Sequence, residues 1–258
     1  MDILFILSGL LVGLIIGVSG VGGGSLMTPL LVMGFGIPPA TAVGTDLLYA
    51  GLTKTGCSIF RGKLGSINWK LASLLTLGSL PAAILTSIYF LGATHDAPQT
   101  SKVITETLGF MLCVTAISFV FRKRLIALSG SVIPVAKKRS QKILITTLLL
   151  GAVLGVLVTL TSVGAGALGV TALLILYPGI PANHLAGTDI VHAVPLTLVA
   201  GASHAFLGSV DYSLLFTLLI GSIPGVILGS LVAHKISEVL LQLVIGSVLF
   251  AVGIVLIF

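Results

Sequence analysis

Gly44-Thr45-Asp46 returns 143 residues later as Gly187-Thr188-Asp189. At the same spacing Ile37-Pro38 returns as Ile180-Pro181, and Leu64-Gly65-Ser66 as Leu207-Gly208-Ser209. Gly78-Ser79-Leu80-Pro81 likewise returns as Gly221-Ser222-Ile223-Pro224. Residues 37–87 and 180–230 align without a gap, with 17 identities in 51 positions. Upstream the register slips by one, so that Gly22-Gly23-Gly24 matches Gly164-Ala165-Gly166. A chain that repeats itself over such a length must bury one half against the other, in a small set of symmetric arrangements.

The solvent for that arrangement follows from composition. Of 258 residues, 56% are hydrophobic and 8% charged, against roughly 25% charged in a soluble domain. Such material cannot cover a water-facing surface, so the expected class is an all-α integral membrane protein. Asp2 is the only charge before Asp46. The N-terminal apolar stretch therefore lacks the basic leader of a signal peptide and reads as a retained first membrane helix. Cys57 and Cys113 fall in apolar segments and fit small buried fillers rather than a disulfide or metal framework.

Seven of the 13 Lys and Arg lie between Arg122 and Lys142. That reads as a cytoplasmic linker under the positive-inside rule, not as a nucleic-acid signal. The expected organisation is repeat 1 at residues 1–121, the basic linker at 122–142 and repeat 2 at 143–258. Leu4–Gly36 and Ile143–Tyr177 are each too long for one span: about 33 helical residues reach about 50 Å, against a hydrocarbon core of about 30 Å. Glycines interrupt both. Each half is expected to hold a broken-helix hairpin plus three transmembrane helices, an odd number, which makes the repeats inverted. Both termini then lie outside. A single crossing of the opening segment would instead give parallel repeats. The loop lysines separate the two weakly: the inverted arrangement leaves Lys102 outside, the parallel one Lys235 as well.

The candidate chemistry sits where the helices break. Val21–Ser25 and Ser162–Gly166 each precede a short apolar helix, whose first N–H groups are unpaired and carry the positive end of the helix dipole. Glycine there lets an anion approach the backbone, which makes Gly22, Gly24, Ser25, Gly164 and Gly166 candidate anion ligands. Close helix packing is the plainer use of the same glycines. Thr45 and Thr188 stand beside them as further binding candidates. Asp46 and Asp189 are ionisable groups in apolar segments, which serve either as helix caps and hydrogen-bond partners or as proton-exchanging groups. His192, three residues after Asp189, is either a relay partner or a local hydrogen bond. Lys54 either reaches the interface or lines the pathway and neutralises an anion. Arg61 and His204 occupy equivalent positions at the end of a span, either as interface anchors or as a pair guarding the way in and out. No phosphate-loop motif, metal-spaced His/Cys set or nucleophile with partners is present, so neither an enzyme, a metal site nor a cofactor is expected.

Around these residues the sequence resembles the sulfite exporter TauE/SafE family, also called the toluene-sulfonate uptake permease family. The resemblance is carried by Gly20-Val21-Gly22-Gly23-Gly24, by Gly44-Thr45, and by Phe60-Arg61-Gly62-Lys63-Leu64-Gly65-Ser66-Ile67-Asn68-Trp69. The second repeat departs from that basic run at Ser203-His204-Ala205-Phe206. The resemblance implies a multi-pass transporter of a bacterial-type plasma or inner cell membrane, handling sulfur-containing anions such as sulfite or organosulfonates. The expected mechanism is secondary transport by alternating access, with proton coupling through the carboxylates; a passive anion channel is the alternative. The expected partners are the small anion and the lipid bilayer. Oligomeric state stays open, a homo-oligomer included.

Overall fold

The computed structural model describes residues 2–19, 24–63, 65–92, 97–129, 141–232 and 238–257. Among these it is all-helical. The first half comprises α1 (Asp2–Ser19), α2 (Gly24–Pro29) running into a π-turn (Leu30–Gly34), α3 (Pro39–Lys63), α4 (Trp69–Gly92) and α5 (Ala97–Ser129). The second half follows the same order: α6 (Gln141–Thr161), α7 (Ala167–Leu176), α8 (Ala182–Phe206), α9 (Tyr212–Val232) and α10 (Glu238–Ile257). The second overlong opening segment is thus broken where its glycines stand, into α6 and α7; the residues between α1 and α2 lie outside the described ones.

Five helices are long and apolar enough to cross a membrane: α4, α5, α6, α8 and α9. Their outward side chains are apolar too. Leu77, Leu85, Tyr89, Phe216, Ile220 and Leu231 are all exposed, on a scale that soluble proteins avoid and a lipid solvent favours. α3 has the same 25 residues as α8. It carries Asp46, Lys54, Arg61 and Lys63, however, and is not among the five.

α5 runs from Ala97 through Ser129, so Arg122, Lys123 and Arg124 at the start of the basic linker are helical. An exposed Lys102–Glu106 pair at 3.7 Å lies one turn apart on that helix. Residues 130–140, the centre of the linker, lie outside the described residues.

Packing follows the duplication. α1 lies along α9, α4 along α6, α3 along α8 and α5 along α10. Replacing each helix by its equivalent in the other half converts the first pairing into the second and leaves the other two unchanged. Glycines set the directions. Gly9, Gly13 and Gly17 press on Leu218, Ser222 and Val226 in the same order, so α1 and α9 run parallel. Gly151 and Gly155 press on Leu75 and Ser79, so α4 and α6 are parallel as well. In contrast, Gly44 lies against His204 and Gly51 against Leu198, so α3 and α8 run antiparallel. Gly109 against Gly253, and Gly246 beside Ala116, make α5 and α10 antiparallel too. On the parallel seams a Cβ at Gly13 or Gly155 would overlap the backbone of Ser222 or Ser79. Such close backbone approach supplies the van der Waals contact that holds helices together in lipid.

Candidate functional site

The duplicated Gly-Thr-Asp triplet divides into three tasks. Gly44 is pressed by the Ser209 carbonyl and Gly187 by the Ser66 carbonyl, and neither site has room for a side chain. Thr45 Oγ1 accepts the backbone N–H of Asp211 at 3.0 Å, and Thr188 Oγ1 accepts that of Asn68 at 2.9 Å. Asn68 and Asp211 in turn cap the starts of α4 and α9, accepting from Leu71 N–H at 3.3 Å and Leu214 N–H at 3.0 Å. Gly and Thr of each half therefore grip the turn between the third and fourth helices of the other. The turns depend on Gly65 and Gly208, at φ 64 and 69, where only glycine is unstrained. The third residue of each triplet, Asp46 or Asp189, is fully buried and points inward.

Along the α3–α8 seam the structure gathers a charged interior. Thr28 Oγ1 donates to Asp46 Oδ2, and the Ser162 hydroxyl faces the same carboxylate outside hydrogen-bond geometry. Asp46 thus touches the helix after the first break and the opening of the second. Asp189 lies so close to Gly169 of α7 that a Cβ there would overlap its carboxylate. Asp189 Oδ1 is 3.9 Å from His192 Nδ1, and His192 Nε2 is bonded to Ser79 Oγ of α4 at 2.9 Å.

Lys54 sits between the two carboxylates, only 3% exposed. Its Nζ reaches the Ala165 carbonyl at 3.5 Å, within the second break. Among the described residues it has no carboxylate at ion-pair distance. It does not reach the interface: the seam holds it inside.

The second break is irregular backbone held by its own polar groups. Ser162 has φ 58, Gly164 φ 121 and Gly166 φ 118, and the strained Ser162 marks a conformation that the surroundings enforce. Val163 N–H donates to Thr161 Oγ1 at 3.1 Å, and Gly169 N–H to the Gly164 carbonyl at 3.1 Å. All of residues 161–167 are buried. The matching part of the first break lies outside the described residues, Gly22 included. Gly24 opens α2, and Ser25 is buried on that helix at 6% exposure.

The structure therefore brings together Lys54, Asp46, Asp189, His192 and the segment containing Gly164 and Gly166. Thr45 and Thr188 stand next to the carboxylates, with their hydroxyls taken by the opposite turns. His204 lies fifteen residues beyond Asp189 on α8, about 22 Å along it, at the end of the seam that packs on Gly44. Its Nε2 is bonded to the Thr159 carbonyl at 3.0 Å. It lines a small cavity with Ser87, Ile104, Thr159, Leu160 and Leu207. The Arg61 backbone lies in the last turn of α3, and its side chain lies outside the described residues. The sequence reading did not pick out Thr28, Ser79, Tyr49, Ser222 or Gly169. A signal existed for three of them: Ser79 and Ser222 are equivalent, and Tyr49 is the equivalent of His192.

A bundle of apolar helices that encloses two carboxylates, an ammonium and an imidazole, and breaks its backbone beside them, has the build of a multi-pass membrane transporter. Comparison with known proteins agrees. The family model for sulfite exporter TauE/SafE matches residues 5–256, and the chain belongs to that family. It is 38% identical over 263 residues to "Probable membrane transporter protein YjnA" of Bacillus subtilis, covering 100% of both chains. It is 27% identical to "Probable membrane transporter protein YdhB" of the same organism, over 99% of this chain and 100% of the relative. It is 28% identical to "Probable membrane transporter protein MJ0441" of Methanocaldococcus jannaschii, over 97% of this chain and 93% of the relative. No solved structure matches the chain.

Proposed function

We propose that this protein is a secondary transporter of the cell membrane that carries a small sulfur-containing anion, sulfite or an organosulfonate. It works by alternating access in a fold built of two inverted repeats and couples anion movement to protons. The substrate class is supported by the name of the family. The inverted arrangement is supported by the antiparallel packing of the equivalent helices α3 and α8, and of α5 and α10.

The observation that carries the reading is Lys54. A buried ammonium held on a backbone carbonyl, with no carboxylate at ion-pair distance among the described residues, is a cation ready for an anion. The anion binds between the two breaks, against the amides around Gly164 and Gly166 on one side and Gly22, Gly24 and Ser25 on the other, with Lys54 neutralising it. Thr45 and Thr188 serve this site through the turns they fix. Arg61 and His204 stand at its two approaches. Asp46 and Asp189 flank the ammonium, so an anion meets like charge unless a carboxylate is protonated, and that links the two movements. Nothing in this scheme makes or breaks a covalent bond in the substrate: the protein is a carrier, not an enzyme.

The test is uptake and efflux in proteoliposomes with sulfite, thiosulfate, taurine, sulfoacetate and sulfate. Saturable movement of sulfite or a sulfonate, accelerated by a pH gradient and lost in Lys54→Gln, is the expected result. Failure to move any of them sinks the substrate class, and a large non-saturating current identifies a channel instead.

A further inference from the structure

Two hydrogen bonds cross between the halves at equivalent places. Tyr49 Oη on α3 donates to Ser222 Oγ on α9 at 2.7 Å. Its counterpart joins His192 Nε2 on α8 to Ser79 Oγ on α4 at 2.9 Å. Position 49 becomes 192, and 79 becomes 222, by the same shift of 143 that relates the repeats. All four residues are fully buried. Ser79 and Ser222 also sit on the parallel seams, with their backbone against Gly155 and Gly13, and two residues before Pro81 and Pro224. A proline inside a helix removes a backbone hydrogen bond and lets the helix bend there. Each bond thus ties a seam helix to the bending point of a helix contributed by the other half.

The two ties are equal in place and unequal in chemistry. A phenol offers one proton and cannot gain a second. An imidazole can gain one, which turns Nε2 into an obligatory donor and puts a positive charge beside Asp189, 3.9 Å away. From α3 the charged groups facing this seam are Lys54 and Asp46, with Arg61 and Lys63 further along and their side chains outside the described residues. The other helices against α8 bring no charge to it among the described residues: α4 carries Lys70 and α6 Lys142, each exposed at its helix start, and α7 carries none.

We propose that Tyr49–Ser222 and His192–Ser79 are the paired ties that hold α9 and α4 in position during transport, and that protons act on the second tie alone. The four are positioning residues: none is placed against the anion. The consequence is a cycle with one pH-sensitive side and one pH-insensitive side, although the fold is duplicated. The inference rests on the transporter reading, but its test needs no substrate.

Spin labels at Lys70→Cys and Ala182→Cys report the α4–α8 separation, and labels at Ser213→Cys and Pro39→Cys report the α9–α3 separation. Both pairs are placed in a Cys57→Ser, Cys113→Ser background in liposomes. On acidification from about pH 8 to about pH 5.5, the 70–182 distance distribution should shift and the 39–213 distribution should not. His192→Tyr should abolish the shift, and Tyr49→His should introduce one at 39–213. His192→Gln, which keeps a hydrogen-bonding side chain but cannot gain a proton, gives the same answer if the larger ring disturbs folding. A shift that survives both His192 variants, equal shifts at the two pairs, or no shift at 70–182 in the parent protein overturns the proposal. These distances are read without anion, so their outcome is separate from that of the proteoliposome assay.

Discussion

Thr45 and Thr188 show how a single hydroxyl can join distant parts of a chain. Each accepts a backbone N–H from a turn, 166 and 120 residues away respectively. Thr45→Val keeps the shape and leaves the Asp211 N–H without its acceptor, which should cost about 1 kcal/mol. Thr188→Val should cost a similar amount, as a lower midpoint of thermal unfolding in detergent. Gly169 makes a sharper test of the site itself. Gly169→Ala would drive a methyl into the Asp189 carboxylate. It should reduce transport at least tenfold, whereas Gly56→Ala, which meets open space, should leave transport unchanged. At Asp46 and Asp189 the expected effect is on coupling. Asn at the coupling position should retain anion exchange and lose accumulation driven by a pH gradient, and Asn at the other should lower stability. If neither substitution alters the pH dependence of uptake, the carboxylates are structural.

At the scale of the helix, the two kinds of glycine separate. Those of α1 and α9 face backbone across a seam. Gly13→Leu should prevent α1 from seating on α9 and yield protein that aggregates on extraction. Gly166, at φ 118, opens α7. Gly166→Val should give a folded, extractable protein without transport, because the side chain strains the break and covers its amides. Normal transport by that variant would leave the break as a packing device. The sequence made the breaks legible through glycine clusters at matching places, and the buried carboxylates through their isolation in apolar runs. It did not make α3 legible as the polar partner of α8, because hydropathy averages over a face that is charged inward and apolar outward. Nor did it reveal what the Gly-Thr pairs hold, since their partners are remote turns with no periodicity to point at them. Tyr49 was hidden for a different reason: an aromatic in an apolar helix looks like core until its hydroxyl is seen on Ser222.

For the whole molecule, the inverted arrangement predicts that a cysteine at position 2 and one added after Phe258 both react with a membrane-impermeant reagent in intact cells. A cysteine at Lys142 should be protected until the membrane is opened. Protected termini would remove the inverted arrangement and leave the helix packing to be explained by parallel halves. The duplication itself was plain from the repeated triplets. The direction of each helix was not, because it is fixed by which glycine meets which backbone across a seam.

The parallel seams have a mechanical meaning. Because the opening helix of each half is clasped by the fourth helix of the other, the first and second halves of the polypeptide are interlocked, and neither is a body that can swing by itself. In the alternating-access cycle proposed above, the rocking units would then be mixed ones: the α1–α9 slab and the α4–α6 slab, each drawn from both ends of the chain, moving past the central α3–α8 pair. Cutting the polypeptide within residues 130–140 and expressing the pieces together should therefore yield one complex that purifies through a tag on either piece. Each piece made alone should be degraded, for want of the clasp that only the other supplies.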